Sequence, residues 1–319
     1  MAHDPADDTR LRQILQRAAD RFHADLKRAL PRTTPLLTAR LKRVPAGSNT
    51  VEVCLAAKSF PAFSMPYWLT PDDARDTDLE FQEDLSYSTL NGYYFVRLLD
   101  NVSDGDGPEE LKRLLPAAGY FYAQFQSPYQ AHFPPDHPFW TAFHHAWNEQ
   151  AEAAAIEGEI GDIDLEKFLS VSALKFGAAK GPLAAAGYRY GRERDLPAWM
   201  AFVDRLGAFS QLVNDLFDWH HDHVLGINTF IQAEYRSRRS APDETIHRWI
   251  LREGFDRAVA LLRTWQAELR GMAETLGSDE AVLWLDRRRD LLDREIGEAK
   301  AAIAALRELA DAMRVPYSG

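Results

Sequence analysis

The chain has 319 residues, of which 46% are hydrophobic and 27% charged, and its formal net charge is −11. That supplies enough apolar material for a substantial core, and it argues against general nucleic-acid binding, which needs a basic footprint. The single cysteine, Cys54, excludes an internal disulfide and zinc sites of the CxxC type. No apolar run approaches the roughly 20 residues that span a bilayer. The opening MAHDPADDTR lacks the layout of a signal peptide, so a cytoplasmic protein is expected.

Residues 1–10 read as a disordered N-terminus, and 11–315 as one all-helical domain. From Leu11 the apolar positions Ile14, Leu15, Ala18, Phe22 and Leu26 recur at helical spacing, until Pro31 ends the pattern. The proline-bearing stretch 31–80 predicts short pieces and turns. A long helix is expected over 78–104, with Leu85, Leu90, Tyr94, Leu98 and Val102 inward. The run GDGP at 105–108 stops it. A helix over 109–126 follows, then a loop at 128–138 and a helix over 139–160. GDID at 161–164 opens the next helix with an acidic cap. The small-residue stretch 172–191 predicts close helix packing with a break near Gly181 and Pro182. A helix over 197–223 begins with proline in its first turn and ends at Gly226. Residues 236–243 read as a basic loop, and further helices fill 244–313. No stretch alternates strongly enough for a strand, so the fold class is all-α.

Two acidic helix faces carry the chemistry. In YYFVRLLDNVSDGD, 93–106, Asp100 and Asp104 are four residues apart and project from one face. Both sit near a helix C-terminus, where carboxylates oppose the macrodipole and each other. Local stability does not explain that placement; a bound divalent cation does, and carboxylate oxygens suit magnesium. In QLVNDLFDWHHDHVLGINTF, 211–230, Asn214, Asp218 and Asp222 fall at i, i+4 and i+8. They form a polar stripe on a helix that Leu212, Val213, Leu216, Phe217 and Trp219 should largely bury, and such a stripe must be satisfied by something. A solvated acidic face is the plain alternative for either motif alone. His220, His221 and His223 suggest a transition-metal site less well, because neighbours on a helix point about 100° apart.

These residues resemble the class I isoprenoid-diphosphate synthase superfamily, which includes terpene cyclases, chain-elongating prenyl transferases and squalene/phytoene synthases. Asn214, Asp218 and Asp222 are similar to the cyclase pattern Asn-Asp-x-x-Ser-x-x-x-Glu, with Asp at both of the last two positions. Asp218 and Asp222 also resemble the Asp-x-x-x-Asp of squalene/phytoene synthases, and so do Asp100 and Asp104, with Arg97 three residues earlier. Chain-elongating enzymes prefer a second Asp where this chain has Asn101. KSFPAFSMPYWLTP, 58–71, is faintly similar to the Ser-Phe segment of phytoene-type enzymes, and the resemblance covers about 60–230. The Arg-Tyr pair of cyclases is matched only loosely, by Arg314 and Tyr317.

The resemblance implies a helical bundle around a central cavity and a prenyl diphosphate substrate. It further implies three Mg2+ ions held by Asp100 and Asp104 on one wall and by Asn214, Asp218 and Asp222 on the other. Arg97, Lys175, Lys180, Arg236, Arg238 and Arg239 are the candidate diphosphate donors, and His221 or His223 could add one. Tyr94, Phe95, Phe176, Phe209, Phe217 and Trp219 are candidates to face a carbocation. The loop over 232–243 is expected to close over the diphosphate. The implied activity is that of a terpene synthase, with a head-to-head prenyl transferase as the alternative. A helical binding protein without turnover is the reading from another class. A carboxylate di-metal bundle would want Glu-x-x-His pairs, which the motif helices lack. The sequence leaves a homodimer open.

Overall fold

The computed structural model describes residues 8–41, 50–103, 112–159 and 163–314. The described residues hold helices and no strand. Helix α1 (Thr9–Ala29) begins earlier than expected, because the Asp8 carboxylate accepts from the backbone N–H groups of Arg10 and Leu11 and caps it. Asp8 to Arg10 are thus ordered, while residues 1–7 lie outside the described part. Four short helices follow: α2 (Thr34–Leu41), α3 (Thr50–Leu55), α4 (Ser64–Leu69) and α5 (Asp72–Thr77).

Helix α6 (Leu79–Ser103) matches the predicted long helix; Asp104 and the GDGP stop lie outside the described residues. Its two sides serve two cores. Phe81 and Leu85 enter a large cluster with the middle of the chain, whereas Tyr87, Leu90 and Leu98 pack with the apolar stripe of α1. Val102, expected inward, is exposed. The helix predicted over 109–126 is interrupted: a turn at Leu115 and Pro116 precedes α7 (Ala117–Gln126), because proline supplies no N–H to carry the earlier helix on. The expected loop contains a 3-10 turn (Ser127–Ala131) before α8 (Pro138–Glu159).

Asp164 caps α9 (Leu165–Leu174) as expected, its carboxylate accepting from the Lys167 N–H at 2.8 Å. The break expected at Gly181 and Pro182 lies instead at Lys175 and Phe176. Helix α10 (Gly177–Arg189) then runs through Pro182, whose missing N–H forfeits one bond near the helix start. Helix α11 (Leu196–Leu225) is followed by α12 (Phe230–Arg238), which takes up part of the expected basic loop. A short α13 (Ile246–Trp249) passes through a π-turn (Ile250–Gly254) into α14 (Phe255–Thr275), and α15 (Asp279–Arg314) closes the described chain.

The small-residue stretch packs as its composition requires. A Cβ at Gly177 would fall on the Ala146 carbonyl oxygen of α8, so this glycine sets how closely α8 and α10 approach. A Cβ at Gly271, in α14, would meet nothing within 4 Å. Gly177→Ala is expected to cost about 1–3 kcal/mol through overpacking. Gly271→Ala should stabilise by about 0.5–1 kcal/mol through helix propensity. Urea unfolding of the two variants checks both signs.

Candidate active site

Helix α11 is built to present a few polar side chains from a buried rod. Pro197 lies in its first turn. Gly226, at φ +71°, ends it in a left-handed residue, and the Ile227 N–H bonds back to the Asp222 carbonyl at 2.8 Å. Leu212, Val213 and Leu216 are buried in the large core, which fixes the rotation of the helix. Asn214 and Asp218 consequently face out, where they line one wall of a cleft of about 560 Å³, with Phe217 beside them. The stripe expected to be enclosed by apolar neighbours is therefore solvent-facing at Asn214 and Asp218 and half-buried at Asp222.

The facing wall comes from elements the sequence did not single out. Arg288, Glu295 and Glu298 of α15 and Lys58 of the loop after α3 complete the lining. Positions 288, 295 and 299 repeat at helical spacing and turn one side of α15 toward α11. Lys58 opens the Ser-Phe segment. Ser59 Oγ donates to the Val53 carbonyl at 2.9 Å, and Phe60 stacks on Phe176 at 4.4 Å between ring centroids. The signal for α15 in the sequence was only its helical period; nothing in it said which distant helix it would face.

Asp100 is exposed on α6 near Tyr93 and Arg97 and is not part of this wall. Asp104 lies outside the described residues. Among the described residues, no group of three or more His, Cys, Asp or Glu side chains is assembled that could hold a metal ion. The donor chemistry of the α11 wall fits a hard cation nonetheless, since Asn214 and Asp218 offer oxygen ligands side by side in an open cleft.

The candidate diphosphate donors separate. Lys175, at the end of α9, is close enough to α11 to act electrostatically on Asp215. Lys180 is buried and turned elsewhere: its ammonium pairs with Asp204 at 2.7 Å and Glu149 at 3.7 Å and donates to the Ala173 carbonyl. Arg97 is exposed on α6. Arg236 donates to Asn228 and, with His223, Gln232 and Tyr235, lines a second cleft of about 530 Å³. Arg238 pairs with Glu234 at 2.6 Å, and Arg239 donates to the Pro242 carbonyl. The loop expected to close over the diphosphate is tied at one end to the chain that follows it. Glu244 accepts from Arg252 and, to smaller effect, from the Ser240 N–H, which hold its carboxyl down at about 2.

The rings separate too. Tyr94 stacks on Phe22 at 4.9 Å in the α1 core, Phe95 packs against Tyr122 and Trp147, and Phe209 is buried. Trp219 lies against His220 and His247, and His223 Nδ1 is 3.2 Å from Gln232 Oε1. Of the candidate rings, Phe217 is the one that lines the cleft beside Asp218; it is 37% exposed.

Asp215 is the neighbouring carboxylate that the stripe-based reading passed over. Its carboxyl points inward and is 3% exposed. It accepts from Gln211 Nε2 at 2.8 Å and from the Phe230 N–H at 3.3 Å, tying the motif helix to the start of α12. Burial pushes this acid up to about 7; the Gln211 bond opposes that, the nearby Asp222 charge adds to it, and Lys175 opposes it. The folded chain therefore keeps the proton over a range in which the unfolded chain releases it. Stability should fall as pH rises from about 4 to about 7 and level off above. Asp215→Asn should flatten this dependence. In metal-free protein unfolded by urea, the wild type is expected to lose roughly 1–3 kcal/mol more than the variant between pH 5 and pH 8.

No family model matches the sequence, and no curated protein matches it. Solved structures do. A geranylgeranyl pyrophosphate synthetase from the archaeon Geoglobus acetivorans is 14% identical with a TM-score of 0.66, over 89% of this chain and 98% of that one. A geranylgeranyl pyrophosphate synthase from Lactobacillus brevis ATCC 367 is 14% identical with a TM-score of 0.59, over 84% of this chain and 99% of that one. At such identity the likeness is one of backbone architecture, and it agrees with the helices described above. The chain shares the all-α fold of these two solved synthases.

Proposed function

We propose that this protein is a magnesium-dependent prenyl transferase that ionises an allylic prenyl diphosphate, releasing diphosphate, and joins the cation to the double bond of a second prenyl chain with loss of a proton. The observation that carries this reading is Asn214 and Asp218 side by side on the wall of an open cleft. The fold is one that solved geranylgeranyl pyrophosphate synthases share. The neighbours favour transfer over the cyclisation expected from the sequence.

Breaking the C–O bond sends negative charge onto the diphosphate and leaves a carbocation. Magnesium, when bound, acts as a Lewis acid that neutralises and aligns the leaving group. Asn214 and Asp218 supply oxygen ligands for it, with Asp222 one turn further on; we assign Asp100 of α6 to the same task, and Asp104, outside the described residues, on the sequence motif alone. The cleft's own charge makes cations a requirement. Asp218, Glu295 and Glu298 outweigh Lys58 and Arg288 in its lining, so a bare diphosphate is repelled. Phe217 offers a ring beside Asp218 that can stabilise the cation by about 0.5–2 kcal/mol. Val213 and Ala299 add apolar lining beside that ring.

Terpene cyclisation stands as a second reading, favoured by Asn214 at the head of the triad with Asp218 and Asp222. Incubation with C10, C15 and C20 prenyl diphosphates plus magnesium, followed by product analysis, separates the two. Transfer gives products with more carbons than the substrate, whereas cyclisation leaves the number unchanged. Absence of diphosphate release from every substrate would support a helical binding protein and end both enzymatic readings. Asp218→Ala is expected to lower turnover by about 10²-fold or more, as loss of a group that stabilises developing charge does. Unchanged turnover in both Asp218→Ala and Asn214→Ala would remove the α11 wall from the chemistry.

A further inference from the structure

The last turns of α11 run on past the core. Leu216 is the last buried residue of the helix, and none of residues 217–227 is buried. This end carries Val224 and Leu225, and Ile227 follows Gly226. Val224 is 68% and Leu225 56% exposed, the two highest values among the large hydrophobic side chains described, and Ile227 is 38% exposed. Apolar residues exposed singly are ordinary, whereas these three sit together at a projecting tip. Helix capping does not account for them. Where a left-handed glycine closes a helix, the residue after it often packs on an apolar residue of the last turns, and the positions that would serve here are Asp222 and His221. The tip also has a basic flank. Ile227 lines the second cleft together with Arg236, and residues 223–240 hold Arg236, Arg238 and Arg239, all exposed, against one acid, Glu234. Arg238 takes up Glu234 at 2.6 Å, and Arg236 and Arg239 donate to the neutral oxygens of Asn228 and Pro242. In a chain of net charge −11 this is a local reversal of sign.

We infer that this tip is a docking surface for an anionic lipid bilayer: Val224, Leu225 and Ile227 enter the boundary of the acyl chains, and Arg236 and Arg239 meet the headgroup phosphates. Apolar insertion and electrostatic attraction add in peripheral binding, and either one alone holds a protein only weakly. Charge decides the occupant. An anionic surface repels a chain of net charge −11 as a whole, so the approach that brings the arginines forward is the favoured one. A second copy packed on the same tip would set these arginines against their own copies across a two-fold axis. The tip supplies attachment and not a span; among the described residues no helix is long and apolar enough to cross a membrane. At the rise of an α-helix, Val224 lies about 9 Å along the axis from Asp218, so the docked tip brings the bilayer close to the cleft. Under the proposed function a prenyl chain there meets a phase that dissolves it; the docking surface itself follows from exposure and charge and does not rest on that reading.

The test is flotation of the full chain with vesicles of phosphatidylcholine, with and without phosphatidylglycerol, over a series of salt concentrations. The wild type is expected to float with the anionic vesicles, to stay behind with the neutral ones, and to lose binding as salt screens the arginines. The pair Val224→Ser and Leu225→Ser should weaken partitioning by about tenfold or more, and the pair Arg236→Gln and Arg239→Gln by a similar factor. All four positions are exposed, so both variants should keep the wild-type melting temperature. Should the arginine pair fail to fold, the serine pair and the salt series carry the test. Absence of wild-type binding to the anionic vesicles overturns the inference. So does equal binding to both kinds of vesicle, or partitioning of the serine pair within about twofold of wild type. Sedimentation showing wild-type dimers that the serine pair dissolves, without vesicle binding, would assign the tip to a second copy and overturn it as well. Vesicle binding without diphosphate release from any prenyl diphosphate would sink the proposed function and leave the surface standing. Turnover without vesicle binding would do the reverse.

Discussion

The rotation of α11 about its own axis governs everything chemical in this molecule. That rotation is fixed by burial: Leu212, Val213 and Leu216 are inserted into the large core, and each such side chain contributes roughly 1.5–3 kcal/mol relative to exposure. Turning the helix by one residue would bring apolar groups to the cleft and carboxylates to the core. Asp215 shows how little tolerance there is. It sits one residue from Asn214, falls on the inner side, and is accommodated as a hydrogen-bonded acid held near neutrality. Two adjacent residues of similar chemistry thus have opposite fates, decided by an offset of about 100°.

The cleft formed by that rotation is a site of mixed charge in an acidic chain. One wall offers hard oxygen donors, and the facing wall offers Arg288 and Lys58 together with Glu295 and Glu298. Such a surface discriminates by charge state. It repels a free polyanion and a lone monovalent cation gains little there, whereas a cation–anion complex meets both kinds of partner. Arg288 is buried, and Glu295, 4.0 Å away, is its ion-pair partner among the described residues. Two of the basic groups singled out in the sequence are engaged elsewhere. Lys180 neutralises Asp204 and Glu149 between helices, and Arg238 bridges one turn of its own helix. A positive charge near a motif in sequence is a poor guide to the site, because its pairing depends on which helix lies beside it.

The sequence by itself determined the helical class, the position of most helices and the α11 motif. Those properties are local: apolar periodicity, Pro197 in a first turn, Asp164 as a cap and Gly226 in a left-handed residue act over a few residues. Where local signals competed it misplaced boundaries, as at Pro116, which breaks a helix, and Pro182, which does not. Only the tertiary structure decided the other half of the site. Arg288 and Lys58 are separated from each other by most of the chain, and their meeting beside Asp218 depends on how α15, packed on α14 and α4, is set across the cleft from α11. Helical period says which residues share a face and is silent on what that face will meet. The partner is chosen by long-range burial, a sum over many weak contacts that no short stretch of sequence encodes.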